Sequence, residues 1–192
     1  MSRTSKSLCV FCGSREGGNP AFARGAEQLG RVMAQRGIRL VYGGGGVGLM
    51  GIVARSVLAA KGEVVGVVPQ FLRELEVQQD GLNELHVTKT MHERKAMMYD
   101  RSDAFAVMPG GVGTIEEVAE LLSWRHLGVH TKPIVIVNLE NYWGPYLELM
   151  QHIVTNGFAT AKVLGEYTVV DRIEDVLPAA GLALSERVED LV

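Results

Sequence analysis

The segment Ile38-Arg39-Leu40-Val41-Tyr42-Gly43-Gly44-Gly45-Gly46-Val47-Gly48-Leu49-Met50-Gly51 joins three kinds of sequence without a spacer. An apolar, β-branched run comes first, then glycines, then a stretch that opens a helix. An apolar run of this kind predicts a strand buried on both faces. Gly46, Gly48 and Gly51 satisfy G-x-G-x-x-G. Glycines without Cβ let the backbone turn sharply and approach a phosphate, and the following helix offers its N–H groups to an anion. The alternative is that these glycines only let the helix pack tightly on the sheet.

The same alternation runs outward in both directions. Leu8–Phe11, Glu63–Val68, Ala104–Met108 and Ile134–Val137 read as further buried strands, with weaker candidates at Leu85–Lys89 and Tyr167–Val170. Asn19-Pro20 is a helix start with cap and first-turn residues in their preferred places. Phe22, Ala26, Leu29 and Met33 then recur on one face, and Gly37 stops the element. Other helices are predicted over Gly48–Lys61, Met91–Arg101, Val112–His126 and Tyr146–Asn156, with a last one near Ile173–Ala180 capped by Asp171. The segment Gln70–Leu85 reads as a short helix and a loop. Strand–helix–strand repetition implies right-handed crossovers, so the expected fold is α/β: a Rossmann-like, mostly parallel sheet with helices on both faces.

The chain has 192 residues, which favours a single nucleotide-binding domain spanning 1–192, with 1–7 a flexible polar leader. The formal net charge of −3 supplies no global field for nucleic acid or lipid. An anionic ligand therefore needs local positive charge. No apolar run approaches the ~18 residues of a membrane span, and no secretory leader is recognisable, so a cytoplasmic location is expected. Cys9 and Cys12 form a C-x-x-C pair. With Val10 and Phe11 between them and no second pair, they read as buried strand residues rather than redox or metal groups. The histidines His86, His126, His130 and His152 have no metal-ligand spacing. No metal and no cofactor are expected.

A NAD site would need an acidic residue at the end of the strand after the first glycine loop. That strand ends Val67-Val68-Pro69, with Glu63 at the wrong end, which argues against a dinucleotide. A second glycine-rich turn, Pro109-Gly110-Gly111-Val112-Gly113-Thr114-Ile115-Glu116-Glu117, follows the strand Ala104–Met108. Thr114 could cap the helix or bind an oxyanion. Glu116 suits the positive end of the helix dipole, in the first turn. Glu117 beside a phosphate site is better used on ribose hydroxyls, on water, or on developing positive charge. Upstream, Arg94 and Lys95 diverge by about 100° on a helix, so they cannot share one face. An Arg fork there could hold phosphate or a carboxylate. Phe71, Leu72, His92, Met97 and Met98 could line a base pocket, and Trp124 and Leu127 suit a helix–helix or dimer contact.

The second turn, with Arg94-Lys95 before it, resembles the P-G-G-x-G-T-x-x-E signature of the LONELY GUY family. These are the cytokinin riboside 5′-monophosphate phosphoribohydrolases, long mislabelled as lysine decarboxylases. Cys12-Gly13-Ser14, Tyr42–Gly51, Met91–Met98 and Leu121–Pro133 look like family segments as well. The resemblance implies hydrolysis of AMP or an N6-substituted AMP to free base and ribose 5-phosphate, by a homodimer. It places catalysis at Arg94 and Glu117. It places nucleotide contacts at Lys95, Gly111, Val112, Gly113, Thr114, Ile115 and Glu116, with a further one at Glu76. Substrate contacts at Ser14, Gly44, Gly45, Met50, Pro109, Gly110 and Ser123 follow from the same segments. Ser123 stands where Thr is usual among plant members, keeping the hydroxyl and losing the methyl. No lysine with a supporting pyridoxal-phosphate site is recognisable. The rival reading is a carrier that binds a nucleotide or molybdenum cofactor without turnover.

Overall fold

The structure, a computed structural model, describes residues 5–75 and 78–182. Seven strands alternate with helices. They are β1 (Ser7–Phe11), β2 (Arg39–Tyr42), β3 (Val64–Pro69), β4 (Glu84–Thr88), β5 (Ala104–Val107), β6 (Ile134–Val137) and β7 (Thr168–Val170). The helices are α1 (Pro20–Gln35), α2 (Gly48–Ala59), α3 (Gln70–Leu75), α4 (Met91–Asp100), α5 (Val112–His126), α6 (Gly144–Thr155) and α7 (Val176–Ala179). Every strand pairing is parallel, in the order β4-β3-β2-β1-β5-β6-β7. The chain leaves β1 in one direction and later returns to its other side with β5. That reversal makes the crevice beyond the carboxyl ends of β1 and β5 the place where an open α/β sheet binds ligands.

Strand side chains alternate between two apolar layers, as the period of two requires. Leu8, Val10 and Cys12 join Leu40, Tyr42, Ala104 and Ala106 under α1, α2 and α7. Cys9 and Phe11 join Val65, Phe105, Val107 and Ile136 under α4, α5 and α6. Both cysteine thiols are thus buried and free, and burial raises their pKa. Thiols held protonated in this way are poor nucleophiles.

Asn19 caps α1 as its sequence implies, its side chain accepting from the Ala21 N–H at 2.9 Å. Two expectations at the chain's ends are corrected. Ser7 belongs to β1 rather than to a flexible leader, because its N–H and hydroxyl are held by Asp103 and the Arg101 carbonyl; residues 1–4 lie outside the described residues. Asp171 does not cap the last helix. Its carboxylate accepts from Asn138 Nδ2 at 3.4 Å, and the chain instead turns as a 3₁₀ segment, Ile173–Asp175, before α7. No helix among the described residues is long and apolar enough to cross a membrane.

Helix α1 lies on α2 through Gly30. A Cβ there would stand 2.6 Å from Ser56 Cβ and 2.7 Å from the Val53 carbonyl oxygen. The Ser56 hydroxyl bonds the Glu27 carbonyl at 2.5 Å across the same contact. Backbone cannot yield as a side chain does, so added volume must push the helices apart. Gly30→Val should therefore lower stability by roughly 2–4 kcal/mol. Urea denaturation of the variant against wild type measures this, and a midpoint unchanged from wild type would contradict the tight contact.

Candidate active site

A cavity of about 270 Å³ opens at the carboxyl ends of β1, β2 and β5. Its rim and floor come from the loop after β1 (Cys12 to Ser14), from Gly43 and Met50, from α4 (Met91, Arg94, Met98), and from Gly111 to Thr114 and Glu117 of α5.

Helix α5 presents its first turn to this cavity. Gly111 is the N-cap residue, and no side chain caps the helix. Its orphan N–H groups are therefore available to an anion, reinforced by the helix dipole. Thr114 is not the cap. It is the third helical residue, buried, and its hydroxyl fills the space that Gly110 leaves by lacking a Cβ.

Glu117 lies one turn deeper, on the same side of α5. Its side chain is 10% exposed, and Oε1 stands 3.6 Å from Arg94 Nη1. Burial pushes its carboxyl up to about 7, and the Arg94 charge only partly offsets this. Arg94 is itself held from two sides. Nε donates to the Val67 carbonyl at 3.1 Å and Nη2 to the Gly43 carbonyl at 3.4 Å. A Cβ on Gly43 would stand 2.1 Å from Nη2, so only glycine leaves room for the guanidinium. The N-terminus of α4, which carries Arg94, is fixed by Thr90, whose side chain accepts from the Glu93 N–H at 3.1 Å.

Arg94 and Lys95 do diverge. Lys95 reaches along the outside of α5 to Glu116 and, at 2.9 Å, to Glu120. Since α5 begins at Val112, Glu116 stands in the second turn rather than the first, and it serves as an ion-pair partner.

Of the residues predicted to touch substrate, Ser14, Met50, Gly111, Val112, Gly113 and Thr114 line the cavity with Arg94 and Glu117. Pro109 and Gly110 face an adjoining hollow of about 450 Å³, between the β1 loop and Tyr142. Gly44 turns with φ 82° against Val68, and Gly45 forms a bridge with Gln78, so neither lines the cavity. Glycines Gly48 and Gly51 are consumed by packing, Gly48 against the Ser14–Arg15 backbone and Gly51 against the Gly46 carbonyl. Lys95, Ile115, Glu116 and Ser123 lie outside the cavity, and the last three are exposed. Glu76 lies outside the described residues. Leu72 and Met98 reach the cavity, whereas Phe71 and His92 are exposed. Met97 packs against the core. Trp124 packs edge-on to Tyr99 at 5.8 Å, and Leu127 is 74% exposed.

Gly13 and Gly43 line the cavity too, although the sequence marks them only as members of longer segments and not as contacts. Gly13 donates its N–H to the Pro109 carbonyl at 3.0 Å and accepts from the Met50 N–H at 3.3 Å, tying the loops after β1 and β5 to the first turn of α2. The available signal was a glycine within two residues of the end of a buried strand.

Fold and cavity together define a Rossmann-like protein with a polar cavity at the sheet's reversal point. Residues 50–180 match the family model described as "Possible lysine decarboxylase". A cytokinin riboside 5′-monophosphate phosphoribohydrolase of Rhodococcoides fascians is 44% identical over 177 residues, covering 92% of this chain and 89% of the relative. One from Arabidopsis thaliana is 38% identical over 180 residues, covering 90% and 84%. The chain belongs to this family, the LONELY GUY phosphoribohydrolases that also carry the lysine decarboxylase label. Among solved structures, the molybdenum cofactor binding protein of Rippkaea orientalis is similar at TM-score 0.69 and 23% identity, over 92% of this chain and 96% of that one. That likeness reflects the fold alone.

The raised Glu117 has a thermodynamic signature. An acid whose folded pKa lies above its unfolded value of 4.5 favours folding fully below pH 4.5 and loses that contribution as pH rises through about 7. Glu117→Gln, which never ionises, should therefore gain stability relative to wild type between those values. The gain should reach roughly 3 kcal/mol and stay flat above pH 8. Denaturant midpoints of both proteins across pH 4 to 9 test this, and parallel curves would show that Glu117 titrates normally.

Proposed function

We propose that this chain hydrolyses the bond between base and ribose in a nucleoside 5′-monophosphate of the cytokinin riboside type, releasing free base and ribose 5-phosphate. The observation that carries the reading is the pairing of an uncapped helix terminus with a buried carboxylate one turn away. Few ligands want both. A phosphate monoester answers the N–H groups of Gly111 to Thr114. A sugar ring held next to it brings its anomeric carbon toward Glu117.

Cleavage of an N-glycosidic bond develops positive charge on the ribose ring, and a fixed carboxylate stabilises it. Water then supplies hydroxide to C1′ and a proton to the departing base. Glu117 holds the ribose hydroxyls and orients that water; Arg94 positions Glu117 and favours its ionised form. Because Arg94 stands 3.6 Å away rather than within tight hydrogen-bond reach, the carboxylate oxygens keep capacity for substrate. Met50, Leu72, Met91 and Met98 give the base an apolar, adaptable wall. Lys95 is engaged by Glu116 and Glu120 and does not line the cavity, which gives the decarboxylase label no support from that lysine.

The protein is proposed to work in the cytoplasm as a homodimer, without a nucleic-acid partner. Val112, Ile115, Ala119, Ser123 and Leu127 recur every three or four residues along the outer face of α5 and its end. Val112 is 83% and Leu127 74% exposed, an apolar stripe that a second copy would cover. Leu127→Asp should shift the sedimentation coefficient from dimer toward monomer. An unchanged coefficient would move the interface elsewhere.

Purified protein given AMP or N6-isopentenyl-AMP should yield base and ribose 5-phosphate by chromatography. Glu117→Gln should cut kcat about 100-fold or more. In the wild type kcat/KM should rise with pH through about 7 as Glu117 ionises, a limb absent from the variant. Nucleotide binding without product would favour the carrier reading.

A further inference from the structure

We infer that Tyr142 is a positioning residue for the phosphate turn, locking the Gly110–Gly111 peptide with its N–H toward the ligand side. The turn Pro109-Gly110-Gly111 has three successive carbonyls, and each is taken by a protein donor. The Pro109 carbonyl accepts from the Gly13 N–H at 3.0 Å, and that of Gly111 accepts from the Ile115 N–H at 3.0 Å. The middle one, Gly110, accepts from the Tyr142 hydroxyl at 2.5 Å. In a trans peptide the N–H points opposite to the C=O. A carbonyl drawn toward Tyr142 therefore sends the Gly111 N–H the other way. A peptide between two glycines meets little steric resistance to flipping. Of the three anchors, Tyr142 supplies the only side chain, and it holds the peptide most free to turn.

The turn that delivers Tyr142 is built for the purpose. Glu140 and Asn141 both adopt left-handed backbone, with φ of 52° and 56°. Such residues persist only where their surroundings over-determine them. Here Asn138 does so, accepting from the Trp143 N–H at 2.8 Å and donating to Asn141 Oδ1 at 3.3 Å. The Tyr142 ring is then set edge-on against Phe22 at 5.3 Å and Trp143 at 5.1 Å. An exposed tyrosine in an ordinary turn would need neither the strained pair nor the aromatic seat.

The inference rests on the phosphoribohydrolase reading for its ligand, and its test separates the two. Tyr142→Phe removes one oxygen and keeps the aromatic seat. Dissociation constants of wild type and Y142F for AMP, ribose 5-phosphate and adenosine are measured by calorimetry, and turnover of AMP is measured alongside. The expected result is a fivefold or greater loss of affinity for both phosphorylated ligands, with adenosine within twofold, and a rise in KM larger than any fall in kcat. Equal weakening of AMP and adenosine would mark a merely structural role and overturn the proposal. So would phosphorylated ligands binding within twofold of wild type. If wild type binds AMP but releases no base, the hydrolase reading falls while the affinity comparison still decides the role of Tyr142. If wild type binds no phosphorylated ligand, both fall. Should Y142F fail to fold, Asn141→Ala, which removes the bond from Asn138 and puts a side chain that disfavours left-handed backbone at φ 56°, takes its place with the same ligand contrast and the same deciding outcomes.

Discussion

A guanidinium sealed under the sheet's carboxyl edge organises everything around it. Arg94 costs a great deal to bury, since a charge removed from water must recover that energy from its neighbours. Two backbone carbonyls and one carboxylate supply the recovery, and each comes from a different element: β3, the loop after β2, and α5. The requirement runs backward into the sequence. Gly43 must lack a side chain for the fork to pass. Glu117 must face inward, which fixes the rotation of α5 about its axis. With that rotation set, Gly111 to Thr114 come to line the cavity and the chain's outer carboxylates, Glu116 and Glu120, fall to Lys95.

The two charges in the cavity are unequal in their environment. Glu117 is held near neutrality by burial, beside a cation that does not quite close on it. A carboxyl in that condition exchanges its proton in the physiological range, where an exposed glutamate would stay ionised. Phosphate at the helix terminus and carboxylate below it would repel each other unless separated along the ligand. The one-turn offset between Thr114 and Glu117 provides that separation, about 5 Å along a helix.

Much of this architecture was readable from residue patterns. The interval Val112–His126 was legible to the residue, because a glycine-rich turn precedes it and Gly128 follows it. The parallel sheet followed from strands apolar on both faces. The divergence of Arg94 from Lys95 followed from helix geometry, although which neighbours each would find did not. What stayed hidden were long-range choices. Asp171 has the chemistry of a cap, but Asn138, distant in sequence, captures it. The first glycine loop has the pattern of a nucleotide fingerprint, yet Gly48 and Gly51 spend their missing Cβ on the protein's own backbone. Glu140 carries no local mark of left-handed backbone, although Asn141 beside it is a residue type that tolerates it, and Tyr142 meets Gly110 across 32 positions.

The sheet's reversal carries a consequence for how the chain matures. Ser7 is clamped to Asp103 across 96 positions, and β1 cannot acquire its second neighbour until β5 has been made. Non-local pairing of this kind slows folding relative to helical bundles, because loop-closure entropy is spent before contacts repay it. The crevice consequently needs β1, α4, β5 and α5 together before it exists. A nascent chain that stops before β5 would carry four strands and their helices and still have nowhere to seat a ligand, so competence to bind reports the closing of β5 onto β1 rather than the presence of any one element.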